Sequence, residues 1–259
     1  MSGARGRNET LGPFTPVTEI LSFPATPEAG RAAADRIRRQ GASLAGIFLE
    51  PVQATAGLRV ADQDGLAEIA AAVVETGVPL ILDEVFTGFG RTGRMFAFEH
   101  FGLVPDLLVL GKSLGGGLPA GLVAGREDLL GRWPAGVQTS TFQLHPASAA
   151  TSDAFLQVLL RDDLAGRAAA MAPTFAEAFG RLKRFADVQD LRGIGAFWAL
   201  AMASKEATVR ARRRALDLGL LTWECGLEGD VIGLVPPLVV SEAELEEAAT
   251  MLEAALTTE

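Results

Sequence analysis

Pro79-Leu80-Ile81-Leu82-Asp83-Glu84 and, further along, Pro105-Asp106-Leu107-Leu108-Val109-Leu110-Gly111-Lys112-Ser113-Leu114-Gly115-Gly116-Gly117-Leu118-Pro119 share one plan: a short apolar run that opens onto a polar loop. Both runs are too short for helices and too uniformly apolar for a half-exposed sheet, so they fit strands covered on both faces. Ligands of open α/β sheets bind outside the carboxyl ends of the strands, which predicts that Asp83 and Lys112 face one crevice. Taken singly, each residue has an ordinary explanation. A glycine-flanked lysine after a strand is commonly a solvated turn residue, and an acidic residue ending a strand commonly caps a helix. Gly115 to Gly117 fit a phosphate cradle or, better, a tight turn close to the backbone.

Outward from these runs the pattern alternates helix and strand. Thr26-Pro27 predicts a helix with a capping hydroxyl and proline in its first turn, running to about Gln40 and ending before Gly41. Ala45 to Leu49 reads as a strand delivering Glu50 to the sheet edge. Leu66, Ile69, Ala70, Val73 and Val74 recur at helical spacing, and Gly77 closes that helix. Val123-Ala124-Gly125 reads as a further strand and Ala147 to Leu160 as a helix. Near residue 160 the character changes, and we divide the chain into a larger α/β unit, 1–160, and a small α+β unit, 161–259. The second holds an amphipathic helix over about Leu164 to Phe185 and a strand over Gly195 to Met202. After these come an arginine-rich helix over Ala207 to Leu218 and a strand over Val231 to Val235. A capping box at Ser241-Glu242-Ala243-Glu244 starts the last helix, which buries Leu245, Ala249, Leu252 and Leu256.

Composition removes several function classes. The 259 residues are 49% hydrophobic and 21% charged, the balance of an ordinary globular chain, and the net charge of −9 argues against partners that are nucleic acid or anionic membrane. Met1 to Arg7 is followed by no apolar core of a signal peptide, and no run is long enough for a membrane helix, so a cytoplasmic location is expected. One cysteine, Cys225, rules out an internal disulfide, and His100 and His145 lie in no metal-ligand spacing, so no metal is expected. The chain has no tyrosine, so any acid/base tyrosine at its site would come from a partner. Arg210, Arg212, Arg213 and Arg214 read as a solvated helix face. A dinucleotide-binding dehydrogenase would need a Gly-x-Gly-x-x-Gly opening a helix after the first strand, and none is present.

A lysine amine can form a Schiff base with a carbonyl cofactor, and an aspartate can keep a pyridine nitrogen protonated so that the ring accepts electrons. That pairing describes pyridoxal 5'-phosphate. The ordered segments agree: Glu50-Pro51-Val52-Gln53, Leu82 to Gly93, Pro105-Asp106 with the Lys112 segment, Ser140-Thr141-Phe142, Leu191-Arg192-Gly193-Ile194-Gly195 and Leu234-Val235-Pro236-Pro237-Leu238. Together they closely resemble the class III (omega-type) aminotransferases of the fold-type-I pyridoxal-phosphate superfamily. The resemblance implies a partial fold-type-I large domain with a mixed, mostly parallel sheet, followed by a small C-terminal domain. By position it implies Lys112 as Schiff-base lysine and proton shuttle, Asp83 as partner of the ring nitrogen, and Val85 packed on one ring face. It implies Thr141 on the cofactor phosphate across a dimer interface, Gln53 bordering the phenolic oxygen, and Glu50 and Phe86 bordering the substrate. Arg192 matches a recurrent arginine without an evident role.

The same resemblance places Gly6 to Gly12 well inside the family's large domain, so about the first third of the pattern, with its phosphate-holding loop and ring-stacking aromatic residue, is expected to be absent. Three readings stay open: half of a split enzyme completed by a separate chain, a fragment, or a non-catalytic paralogue kept for assembly; a homo- or hetero-oligomer is expected as well. The expected substrates are a small amine and a keto acid. Gly233 stands where many members carry a carboxylate-binding arginine and Phe86 where a glutamine is frequent, which leaves an amine, a diamine or an ω-amino acid as donor.

Overall fold

A computed structural model describes residues 19–136, 141, 143 and 145–257. The first helix, α1 (Pro27–Gln40), starts where Thr26 Oγ1 accepts the Ala29 N–H at 3.2 Å, with Pro27 in the first turn where its missing N–H costs nothing. Strand β1 (Ile47–Leu49) follows, then a two-residue hairpin of β2 (Val52–Gln53) and β3 (Arg59–Val60). Helix α2 (Gln63–Thr76) is capped by Asp62, whose Oδ1 accepts the Gly65 N–H at 2.8 Å. It ends at Gly77 in the left-handed conformation. Next come β4 (Leu80–Asp83), β5 (Leu107–Gly111), β6 (Gly121–Gly125), the short α3 (Glu127–Leu130), α4 (Pro146–Arg161) and α5 (Leu164–Gly180). The chain continues through β7 (Val188–Ile194), β8 (Phe197–Met202), α6 (Lys205–Asp217), β9 (Trp223–Cys225), β10 (Val231–Leu234) and α7 (Glu242–Leu256). No helix among the described residues is long and apolar enough to cross a membrane.

The first sheet has the order β1-β4-β5-β6, parallel except for the antiparallel last pair, so the mixed, mostly parallel sheet expected from the resemblance is present. One face packs on α1 and α2: Leu80 and Leu82 join Ala33, Ile37, Leu66, Ile69 and Val73 in one core. The expectation that these strands are covered on both faces does not hold among the described residues. Register pairs Phe48 with Ile81 and Leu107, and Asp83 with Val109 and Val123, which places these side chains on the opposite face. There Phe48 and Val123 are 49% and 48% exposed. Short apolar strands reveal how much they need to bury but not whether the second covering layer is at hand. On α2, Val74 shares the helical period yet is 82% exposed, and the core position is taken by Ala72.

The second sheet, β7-β8-β10-β9, is antiparallel throughout. Phe175 and Phe179 of α5, Ala211 of α6 and Leu245, Ala249 and Leu252 of α7 pack with Leu200 and Ile232 into a core on one of its sides. Ser241 and Glu244 make the expected capping box on α7. Sequence reading expected one strand from Gly195 to Met202, but the structure has a hairpin, β7 then β8. Asp190 and Arg192 interrupt the apolar pattern of β7, and the shared turn at Gly195 reads as a strand start. The helix expected to reach Phe185 ends at Gly180 and passes into a 3-10 turn, Arg181–Arg184. The two sheets are joined by a third core, in which Val52, Ala54 and Leu58 of the β2–β3 hairpin meet Phe197, Ala199, Cys225 and Val231.

Helices α1 and α2 cross at glycines: a Cβ on Gly30 would lie 2.1 Å from Gly65 Cα. Replacing a mid-helix glycine by alanine ordinarily stabilises by about 0.5–1 kcal/mol. Here we predict that Gly30→Ala instead lowers stability by about 1–3 kcal/mol, because the helices must separate. Urea unfolding checks this, and a raised midpoint would contradict the close crossing.

Candidate active site

Strands β4 and β5 are parallel neighbours with Asp83 paired to Val109, so Asp83 and Lys112 leave the sheet at the same edge. Beyond β4 the backbone turns at once. Asp83 Oδ1 accepts the Val85 N–H at 3.0 Å, which leaves Oδ2 without a hydrogen bond among the described residues. The next residue, Glu84, is fully buried and accepts from the Thr87 hydroxyl, from Ala97 N–H at 3.0 Å and from Phe98 N–H at 2.8 Å. Burial pushes its carboxyl pKa up and these three donors pull it back. Glu84 thus ties both ends of the loop from Val85 to Phe98, a role invisible beside Asp83 in the sequence, where the two acids look alike.

Lys112 follows Gly111 with φ of +47°, a left-handed conformation that costs an L-residue about 1–2 kcal/mol. Its surroundings hold it there. Leu114 is buried with Phe89, Leu110, Leu159 and Leu164, and the Thr151 hydroxyl of α4 donates to the Gly115 carbonyl at 2.7 Å. Gly116 takes φ of +55°, and a Cβ there would meet the Thr151 carbonyl at 2.6 Å, so glycine permits both the turn and the approach of α4.

The ammonium of Lys112 has no ion pair among the described residues. Its Nζ lies 3.4 Å from the centroid of the Phe86 ring. Burial lowers the pKa of Lys112, while Asp83 and then Glu50 act to raise it. Burial raises the pKa of Glu50, with Asp83 adding to the rise, whereas the Ala54 N–H that it accepts at 3.2 Å and Lys112 lower it. These mutual influences bring Glu50, Asp83 and Lys112 into one electrostatic cluster. Gln53, on β2, has a buried Oε1 without a hydrogen-bond partner. Val85 lies against the lysine strand, since a Cβ on Gly111 would be 3.5 Å from its Cγ1. Phe86 stacks on Trp223 at 5.2 Å and on Phe197 at 6.3 Å between centroids.

Thr141 is exposed, and Ser140 and Phe142 on either side lie outside the described residues, as does the Gly6 to Gly12 segment. Arg192 acts between the two sheets: its Nε donates to the Gly57 carbonyl at 2.9 Å and its Nη1 to Asp190 at 3.3 Å. Arg91 does the same from the Glu84 loop, donating to the carbonyls of Pro236 and Ala196 at 2.6 and 3.2 Å. Burial lowers its pKa to about 10. Close contact at this seam requires glycine at 195, where a Cβ would fall 2.3 Å from the Thr92 carbonyl carbon. The arginine-rich helix face is more engaged than expected, with Arg210 on Asp187 and Arg212 on Glu224. Sequence reading missed Trp223 as a site neighbour. Cys225 is buried, its thiol pushed up to about 12 by desolvation, and no metal-ready group of three His, Cys, Asp or Glu exists among the described residues.

Residues 6–256 match the model of the family described as aminotransferase class-III. The chain is 35% identical over 253 residues to the acetylornithine aminotransferase of Methanothermobacter thermautotrophicus, covering 96% of this chain and 62% of that protein. It is 32% identical to the diaminobutyrate–2-oxoglutarate aminotransferase of Rhizobium meliloti, covering 82% and 48%. Among solved structures, the ornithine aminotransferase of Toxoplasma gondii superposes with a TM-score of 0.84 at 30% identity, covering 95% of this chain and 57% of that one. The chain therefore spans about half to three-fifths of the length of these relatives.

The electrostatics of the cluster predict a pH dependence. A lowered lysine pKa leaves more neutral amine at a given pH, so acylation of Lys112 should reach half its maximal rate below pH 10.5, the ordinary lysine value. Asp83→Asn removes a charge that favours the ammonium and should move that midpoint further down. Peptide-resolved labelling checks both, and an upward shift in Asp83→Asn would show that the two groups do not interact.

Proposed function

The chain belongs to the class III aminotransferases, and from that premise we propose that it is a subunit or half of a pyridoxal-phosphate-dependent aminotransferase, moving an amino group between an amine or amino acid donor and a keto acid or aldehyde. The observation that carries this reading is the shared sheet edge of Asp83 and Lys112 on the parallel pair β4 and β5, where among the described residues the lysine amine is unpaired and one aspartate oxygen is unbonded.

The residues present fit the ring of the cofactor. The orphaned acceptor of Gln53 needs a donor, Asp83 Oδ2 is free to bind one, and Lys112 is a partly desolvated amine. Pyridoxal phosphate, when bound, supplies an aldehyde that condenses with amines and a protonated ring that draws electrons from the neighbouring carbon. Lys112 is the residue that holds it covalently and, once freed, takes up and returns the proton of the substrate carbon. Asp83 keeps the ring nitrogen protonated by placing a negative charge against it. Val85 supports one ring face, Gln53 borders the phenolic oxygen, and Glu50 and Phe86 border the substrate. Thr141 we assign to the phosphate, where a hydroxyl can donate to an anionic oxygen.

The open sheet face around Phe48, Ile81, Leu107, Val109 and Val123, together with the greater length of the relatives, supports a further polypeptide that completes the large unit. We assign that polypeptide to a separate chain, and the completed enzyme to a homo- or hetero-oligomer. We divide the chain at 160/161 and place it in the cytoplasm, where one buried thiol is in keeping with reducing conditions.

Lys112→Ala should abolish the visible absorbance of bound pyridoxal phosphate after gel filtration and lower turnover by about 10²–10⁴-fold, the range expected for losing a proton-transferring group. Asp83→Asn should weaken cofactor retention and slow turnover while leaving attachment to the lysine. Full activity in Lys112→Ala would refute the assignment.

A further inference from the structure

One row of side chains runs from the small sheet to the lysine. A Cβ on Gly233 of β10 would lie 2.7 Å from Trp223 Cε3, so the missing side chain is what seats the indole of β9. The indole stacks on Phe86 with an interplanar angle of 14°, Phe86 also stacks on Phe197 at 19°, and the Phe86 ring carries Lys112 Nζ over its face. Arg192 and Arg212 are each held by other partners, although Arg212 Nε and the Thr222 hydroxyl have none among the described residues. Arg192 binds Gly57 and Asp190, and Arg212 binds Glu224 and the Thr222 carbonyl. The nearby charges Glu50 and Asp83 are acidic. A carboxylate set against aromatic faces meets the negative side of the ring quadrupole, whereas an apolar ring stacks there favourably.

We propose that Trp223 is a specificity-determining residue which, with Phe86, forms an aromatic wall beside Lys112 that selects amine donors bearing an apolar, preferably aromatic, group over donors bearing a distal carboxylate. The proposal rests on the aminotransferase reading for the role of Lys112, and it adds the substrate class. Trp223 acts by shape and stacking and takes no part in proton transfer.

Calorimetric titration of the full chain, with and without pyridoxal phosphate, against 2-phenylethylamine and 4-aminobutyrate tests it. Both probes carry one ammonium, and they differ in the phenyl or carboxylate at the far end. The wild-type chain should bind 2-phenylethylamine about tenfold more tightly, the size of one good aromatic contact. Trp223→Ala should reduce the ratio to about two or less, and Trp223→Phe, which keeps a ring on the stack, should restore most of it. Equal affinities in the wild type, or a ratio unchanged in a folded Trp223→Ala, would overturn the proposal. Cofactor retention through Lys112 separates the two levels. A ratio lost with retention intact removes the wall and leaves the aminotransferase reading, and a ratio kept while the chain, completed by its partner, fails to retain the cofactor supports the wall and removes that reading.

Discussion

An amine held in a left-handed turn at the end of a half-buried strand is the constraint around which this chain is arranged. Lysine does not favour φ of +47°, so the conformation has to be imposed by what surrounds it: the Leu114 cluster below, the Thr151 bond to Gly115 behind, and a glycine at 116 that lets α4 close on the turn. The result is a side chain that leaves the sheet edge toward Asp83 and Glu50, half withdrawn from water, with an aromatic face beneath its ammonium. Desolvation lowers its pKa and the nearby carboxylates act to raise it.

The arrangement also depends on the seam between the two sheets. The aromatic wall is built from both, Phe86 from the loop after β4 and Trp223 and Phe197 from the small sheet. Arg91, Arg192 and the β2–β3 hairpin fix that seam, and all three reach backbone or apolar partners across it. Half-buried guanidiniums that donate to carbonyls fix direction as well as distance, because each carbonyl accepts along its own lone pairs. A change at the seam would therefore be felt at the lysine without touching it.

Much of this was legible in the residues. Helix ends were marked by capping groups whose chemistry is local: Thr26, Asp62, Gly77 and the Ser241–Glu244 box. The strand ends carrying Asp83 and Lys112 were readable because apolar runs stop abruptly there. The β7 strand was not, since its charged residues serve the seam and broke the alternation that marks a strand. Glu84 was hidden by its likeness to Asp83, and only the tertiary contacts with Ala97 and Phe98 tell the two apart. Trp223 could not be found because its place depends on an absent side chain at Gly233 on another strand. Periodicity records what a strand can bury and not what is there to cover it, so the open face beyond Phe48 was legible only through the family resemblance, whose first third is expected to be absent.

The most direct test of the account is to mix the chain with pyridoxal phosphate, reduce with borohydride and map the pyridoxyl group by peptide mass. The chain has three lysines, at 112, 183 and 205, so the outcome is unambiguous. The account predicts the label on Lys112 and its loss when Asp83 is replaced by a bulky apolar residue that blocks the ring. A label on Lys183 or Lys205 with Lys112 unmodified would contradict it.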